Sequence, residues 1–280
     1  MTGLRRHRSG GWIRDLPAHN DLVAGQSEAE SFLECIPDDA CLRGLPRQLD
    51  LREDCGPIYD QLDFPTSTAH ACTSMAQFYL KRAIGRTIYP SRLFLHHNAQ
   101  RLSGLHEASV SLRTTLTAMI QFGLPDEKHW DYDASLFGKV PDAFVYGFDN
   151  PLRGCQVLRL DGASQPRDLL AEIKIYVAAG FAAVMGFPVF RFDRSPDICF
   201  PVKTDAYEVG QATLIVGYDD VRRIRSEKGA FLIQNSWGED WGDQGFGWLP
   251  YRYVLEGLAV DFWVMLNRDW LSSGEFARPL

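Results

Sequence analysis

Apolar positions give the chain its outline. From Thr68 to about Ala83 the residues Cys72, Met75, Ala76, Tyr79, Leu80 and Ala83 recur at spacings of three and four, the period of a buried helix. Gly85 is placed to stop that helix, and Thr66 or Ser67 is its natural N-cap. A second helix is predicted over 109–122, with Leu112, Leu116, Met119 and Ile120 inward and Gly123 beyond its end; a third runs from Pro166, a favoured first helical position, to Gly180. The period then changes. FAAVMGFP (181–188), QATLIVGY (211–218), AFLIQN (230–235), GFGWL (245–249) and AVDFWVML (259–266) are short apolar or aromatic runs divided by turns, which is a strand signature. Helices first and strands second predict an α+β chain with two unlike lobes. Residues 1–46 are polar and broken by Gly10, Gly11, Pro17, Pro37 and Pro46, the pattern of an extended arm lying on the folded body.

Composition narrows the function classes. A chain of 280 residues with 45% hydrophobic and 12% aromatic content can bury a substantial core. A formal net charge of −7 argues against a nucleic-acid footprint or a polybasic membrane patch. The basic start MTGLRRHRSGG is followed by no apolar run, so neither a secretory signal nor a membrane span is expected and a cytoplasmic location is the default. The cysteines Cys35, Cys41, Cys55, Cys72, Cys155 and Cys199 are irregularly spaced with no CxxC pair, which reads as reduced thiols and not a zinc site; a Cys35–Cys41 bridge is left open for an exported protein. The run GEDWGDQGFG has no Walker lysine and no following helix, so it is turn chemistry and not a phosphate loop. No motif calls for a metal or a cofactor.

The segment FLIQNSWGEDWGDQGFGWL (231–249) resembles, almost position for position, the asparagine-bearing motif of the papain-like (C1) cysteine peptidases. LDLREDCGPIYDQ resembles the opening of the mature family and its oxyanion glutamine, and PSRLFLHHNAQ (90–100) matches a helix that bacterial members carry. The resemblance runs from about Leu49 to Met265. It implies a two-lobed fold, with a helical left lobe (about 47–160), an antiparallel β-barrel-like right lobe (about 161–270) and a cleft between them, the arm 1–46 preceding this 47–280 domain.

Such a site uses a cysteine at a helix N-terminus, a histidine base from the other lobe, an asparagine that orients the imidazole and a glutamine that donates to the oxyanion. The resemblance assigns the glutamine to Gln61 and the asparagine to Asn235, with Trp237 shielding the hydrogen bond of Asn235. Six residues after Gln61, where the family carries its nucleophile, stands Ser67. In VGQATLIVGYDD, Gln211 occupies the histidine position. Ser67 and Gln211 are 144 residues apart, within the roughly 130–150 expected between papain-type nucleophile and histidine.

A serine hydroxyl needs an adjacent base, and a glutamine amide takes no proton near neutral pH. Ser67 then reads most simply as a helix cap, and Gln211 as an amide partner of Asn235 that keeps the lobes in register, Asn235 and Trp237 persisting as packing elements. Cys72, five residues along the helix, points about 140° away from Ser67 and about 7.5 Å deeper, into the core. His70, at i+3, is the one local candidate to approach the Ser67 hydroxyl. His96 and His97 face different sides of a helix and make no metal pair. Residues 190–208 are expected to frame the cleft. The leading expectation is a peptidase homologue without proteolysis, its cleft binding a peptide, an acyl-peptidyl ligand or a protein partner. The rival is an acyl- or amide-transfer enzyme that uses Ser67 or an activated acyl substrate.

Overall fold

A computed structural model of the chain describes residues 9–23, 44–104, 108–162 and 166–267; Cys35 and Cys41 lie outside them. Helix α1 (Ser67–Ile84) is the central element, buried along nearly its whole length because it packs on the sheet and on α2 (Arg92–Ser103) and α3 (Leu112–Phe122). Gly85 ends α1 in the left-handed conformation at φ 64°, as expected. Helix α2 starts at Ser91, whose hydroxyl accepts the Phe94 N–H at 3.2 Å. Helix α3 begins at Leu112, later than the predicted 109, because Val110 exchanges backbone hydrogen bonds with Gly11 and Ile13 of the arm and Ser111 caps the helix instead.

The strands are β1 (Leu22–Val23), β2 (Gln48–Asp50), β3 (Gln156–Arg159), β4 (Ala183–Val189), β5 (Val209–Ile224), β6 (Glu227–Gln234), β7 (Phe246–Pro250) and β8 (Val260–Leu266). They form one sheet in the order β1-β3-β8-β4-β5-β6-β7, with β2 added on β5. Helix α4 (Pro166–Ala178) packs on β4 and β5, and the short α5 (Arg252–Leu255) packs on α4. All pairings are antiparallel except β1 with β3, so the expected antiparallel lobe is a mixed sheet: the arm contributes a parallel edge strand. Strand β5 is longer than its apolar run because it continues past Tyr218 into a partly exposed hairpin with β6. The result is the expected α+β, two-lobed architecture. Among the described residues no helix is long and apolar enough to cross a membrane.

The arm is tied to the sheet through a buried ionic cluster. The Arg159 guanidinium meets Asp161 at 2.9 Å, Asp261 at 2.8 Å and Asp21 at 3.4 Å, and it donates to the Asp15 carbonyl at 3.1 Å. Arg113 of α3 pairs with Asp21 at 2.7 Å and with Asp15 at 2.5 Å. Asp261 accepts from the Trp12 indole N–H and from the Asp15 N–H, each at 3.0 Å. It sits at φ 58°, a strained value for a non-glycine residue that these bonds hold in place. Burying charge is tolerated only with partners this close. Replacing Arg159 by methionine leaves three carboxylates without their shared cation and is expected to lower stability by about 3–5 kcal/mol, measurable by denaturant unfolding.

Burial pushes the Asp261 carboxyl up to about 6, against hydrogen bonds and the Arg159 charge that lower it. Asp21 moves the other way: burial raises it, but the Arg113 hydrogen bond, the Ala18 N–H and the charges of Arg113 and Arg159 together bring it below the ordinary 3.8. A raised carboxyl binds its proton more tightly folded than unfolded, so its contribution is present in acid and is lost as pH rises from 3.8 through about 6. The Asp261→Asn variant is expected to show a flatter dependence of unfolding free energy on pH across that window, measured by urea titrations at successive pH values.

Candidate functional site

The start of α1 is set by Thr66, its N-cap residue, whose side chain makes no capping bond. Its hydroxyl instead hydrogen-bonds the Tyr132 hydroxyl at 2.7 Å and His70 Nδ1 at 3.3 Å. Ser67 is the first helical residue, and its Oγ accepts the Ala212 N–H of β5 at 3.2 Å. Reading Ser67 as a cap is therefore corrected: a strand laid across the helix start presents a buried N–H, and the hydroxyl serves that donor.

Gln61, Ser67 and Gln211 are fully buried, and Asn235, Trp237 and His70 nearly so. Gln211 Nε2 reaches Asn235 Oδ1 at 2.9 Å, Gln61 Oε1 at 3.0 Å and Ser236 Oγ at 3.2 Å. Ser236 Oγ also donates to Gln61 Oε1 at 2.7 Å, and the Gln61 N–H donates to the Ser236 carbonyl at 2.9 Å. The expected amide–amide hydrogen bond between Gln211 and Asn235 is present, but both residues belong to the sheet side; the link to the helical side runs through Gln61. Gln211 Oε1 and Asn235 Nδ2 are buried without a partner among the described residues. Trp237 packs against Phe192 and Trp241 with ring centroids 5.1 and 5.0 Å away, and the Asp193 carbonyl accepts the Trp241 indole N–H at 2.9 Å. The 190–208 segment thus runs beside Trp237.

His70 turns away from Ser67. Its Nδ1 lies 3.0 Å from the Thr66 carbonyl, its ring meets Tyr132 edge-on at 5.0 Å, and Nε2 has no partner among the described residues. Among the described residues no hydrogen bond joins His70 to Ser67. Burial and then the nearby Arg92 charge hold its pKa well below the ordinary value, so it is neutral at physiological pH. His96 is pushed down to about 4, first by burial and then by His97. No group of three or more His, Cys, Asp or Glu able to hold a metal occurs among the described residues.

Residues 9–13 of the arm run through this site. Gln61 Nε2 donates to the carbonyls of Ser9 at 2.6 Å, Gly10 at 2.8 Å and Phe64 at 3.1 Å. The Ser67 N–H donates to the same Gly10 carbonyl at 3.2 Å. Two donors, one from a side chain and one from a helix start, converge on one carbonyl oxygen, the arrangement that stabilises negative charge on oxygen in acyl-transfer sites. Neither Ser236, which neighbours Asn235 in the motif, nor Tyr132 was singled out by the sequence pattern, and the glycine pair of the arm signalled an extended chain without saying where it lies.

Residues 195–254 match the model of the papain family of cysteine proteases. An uncharacterized peptidase C1-like protein of Acanthamoeba polyphaga mimivirus is 30% identical over 215 residues, covering 71% of this chain and 67% of that protein. The chain belongs to the papain-like (C1) peptidase family. Among solved structures, xylellain, a cysteine protease from Xylella fastidiosa, superposes with a TM-score of 0.73 at 27% identity, covering 94% of this chain and 97% of its own. Procathepsin B from Trypanosoma congolense shares the fold, with a TM-score of 0.60 at 16% identity over 93% of this chain and 86% of its own.

In this papain-family chain the thiol nearest Ser67 in sequence is fully buried, and burial alone raises its pKa far above the ordinary range. Cys55 is raised likewise, burial leading, and Cys155 to about 11, again by burial. Cys199 is only partly covered. Alkylation of the folded protein followed by peptide mass mapping is expected to modify Cys199 and to leave Cys55, Cys72 and Cys155 untouched until denaturant is added.

Proposed function

We propose that this chain is a non-proteolytic member of the papain family whose cleft holds peptide without cutting it. Ser67 takes the nucleophile position and Gln211 the position of the histidine base, while Gln61 and Asn235 keep their family positions. The observation that carries this reading is the surroundings of Gln211: an amide donating to Gln61, Asn235 and Ser236, with no hydrogen bond from Ser67 to a histidine, aspartate or glutamate among the described residues. The Ser67 hydroxyl is engaged by a backbone N–H, and His70 is neutral and bonded elsewhere. Binding without chemistry is supported by the arm, whose peptide groups are held by Gln61 and the Ser67 N–H. The ligand class is a peptide, an acyl-peptidyl group or a protein segment. Cys55, Cys72, Cys155 and Cys199 are free thiols, which fits the reducing cytoplasm.

The acyl- or amide-transfer alternative draws on one observation. The pair of donors on the Gly10 carbonyl would also polarise an activated thioester, which asks less of a base. A fluorophosphonate probe separates the two. No labelling of Ser67, and no hydrolysis of a peptide library above the level of the Ser67→Ala variant, is the expected result. Labelling at Ser67 would favour the acyl-transfer enzyme, and peptide hydrolysis abolished by Ser67→Ala would overturn the non-proteolytic reading.

A further inference from the structure

We infer that the helical lobe carries a second interaction surface, separate from the Gln61 site, that takes a partner segment in which an arginine stands close to an apolar residue. The inference is independent of the reading of the cleft.

The surface is the outer side of the stretch 126–149. Its inner residues are already spent: Trp130 and Val145 are buried with Leu93 and Phe94 of α2 in a small core of their own. Phe144 and Phe148, by contrast, are 58% and 42% exposed. They do not stand singly. Phe148 stacks on the His129 ring at 4.2 Å, and Phe144 meets both rings edge-on, 6.2 Å from His129 and 6.4 Å from Phe148. Three rings form one outward platform, the kind of contiguous exposed apolar patch that marks an interaction site.

The platform lies in a field of negative charge. The stretch 126–149 holds six carboxylates against two lysines, which favours a cationic partner. Glu127 is taken by Arg92, and Asp126 by Lys128 at 3.7 Å. Asp142 opens the 3-10 helix Ala143–Gly147 without a side-chain capping bond, and Asp149 directly follows Phe148. Neither carboxylate has an ion pair among the described residues.

Elsewhere the chain completes the same setting with an arginine. Arg222 lies over the Trp248 ring at 4.3 Å and pairs with Asp197 at 2.6 Å; Arg252 lies over Phe200 at 4.1 Å and pairs with Glu227 at 3.0 Å. Arg92 lies over Tyr59 at 3.7 Å and pairs with Glu127. A guanidinium uses its flat face on the ring and its fork on the carboxylate. At Phe144 and Phe148 both of those partners are in place, and among the described residues no arginine or lysine head lies over either ring. The missing cation is the partner's.

The apolar residue has its own place. Phe148 also walls a hollow of about 300 Å³ with Ile120, Phe122 and Tyr146, room for one side chain at the small end of binding pockets. Arg153 lines the same hollow and repels a second cation there. The partner's arginine therefore goes to the rings and its apolar side chain to the hollow. An anionic lipid surface is disfavoured by the carboxylates.

The test uses the full-length protein and a phage-displayed library of random heptapeptides. Peptides retained by the unaltered chain and lost when selection is repeated on Phe144→Ser are expected to share an arginine within two positions of a leucine, isoleucine or phenylalanine. A fluorescein-labelled synthetic copy of the commonest sequence is expected to bind the unaltered chain by fluorescence anisotropy, less tightly as salt rises. Binding is expected to weaken about tenfold when glutamine replaces its arginine, and about tenfold on the Asp142→Asn, Asp149→Asn double variant. These substitutions alter exposed side chains, and melting temperatures are expected to match that of the unaltered chain. Selected peptides without arginine, equal binding of the glutamine peptide, or no peptide lost on Phe144→Ser would overturn the inference. So would co-sedimentation with phosphatidylcholine vesicles by the unaltered chain but not by Phe144→Ser, which would assign the rings to a lipid surface.

Discussion

A single buried amide joins the three parts of this molecule. Gln61 donates through Nε2 to the arm, accepts through Oε1 from Gln211 and Ser236 on the sheet side, and is fixed by its own N–H to the Ser236 carbonyl. A fully buried amide without partners costs about 1–3 kcal/mol for each orphaned group. Helix start, strand β5 and arm must therefore all be in place for this one side chain to be satisfied. Ser67 repeats the pattern on a smaller scale, giving its N–H to the arm and its hydroxyl oxygen to β5.

The Arg159 cluster fixes where the arm goes once it leaves that amide. Asp261, held at a strained φ, offers its carboxylate to the Trp12 indole and the Asp15 N–H, so the sheet edge, the arm and α3 share one set of charges. Glycines on the arm and on β5 let backbones approach closely, and Gly186 of β4 leaves room for the Trp12 ring, so that these bonds can form. The site and the arm are consequently one packed unit, with residues 9–13 lying against the Gln61 amide and the start of α1.

Much of this was legible one residue at a time. Counting from Gln61 reached Ser67, the motif around Asn235 was read directly, and the helical period alone turned Cys72 into the core, where it lies fully buried. Where local rules misled, a distant element had intervened. Ser67 was read as a cap, but a strand more than a hundred residues away supplied a better donor. The α3 start was read early, but Val110 was needed by the arm. Gln211 and Asn235 do share a hydrogen bond between their amides, as their positions suggested, although the contact that spans the lobes goes through Gln61.

The sequence by itself determined the long central helix, the α+β class with its strand-rich second half and the family motif around Asn235, because periodicity, motif spacing and side-chain chemistry are local properties. Only the tertiary structure decided that the arm lies in the cleft and that the Gly10 carbonyl sits between Gln61 and the Ser67 N–H. That placement depends on hydrogen bonds and close backbone contacts between segments separated by fifty to two hundred and fifty positions, and no local pattern records which distant group will satisfy a buried polar atom.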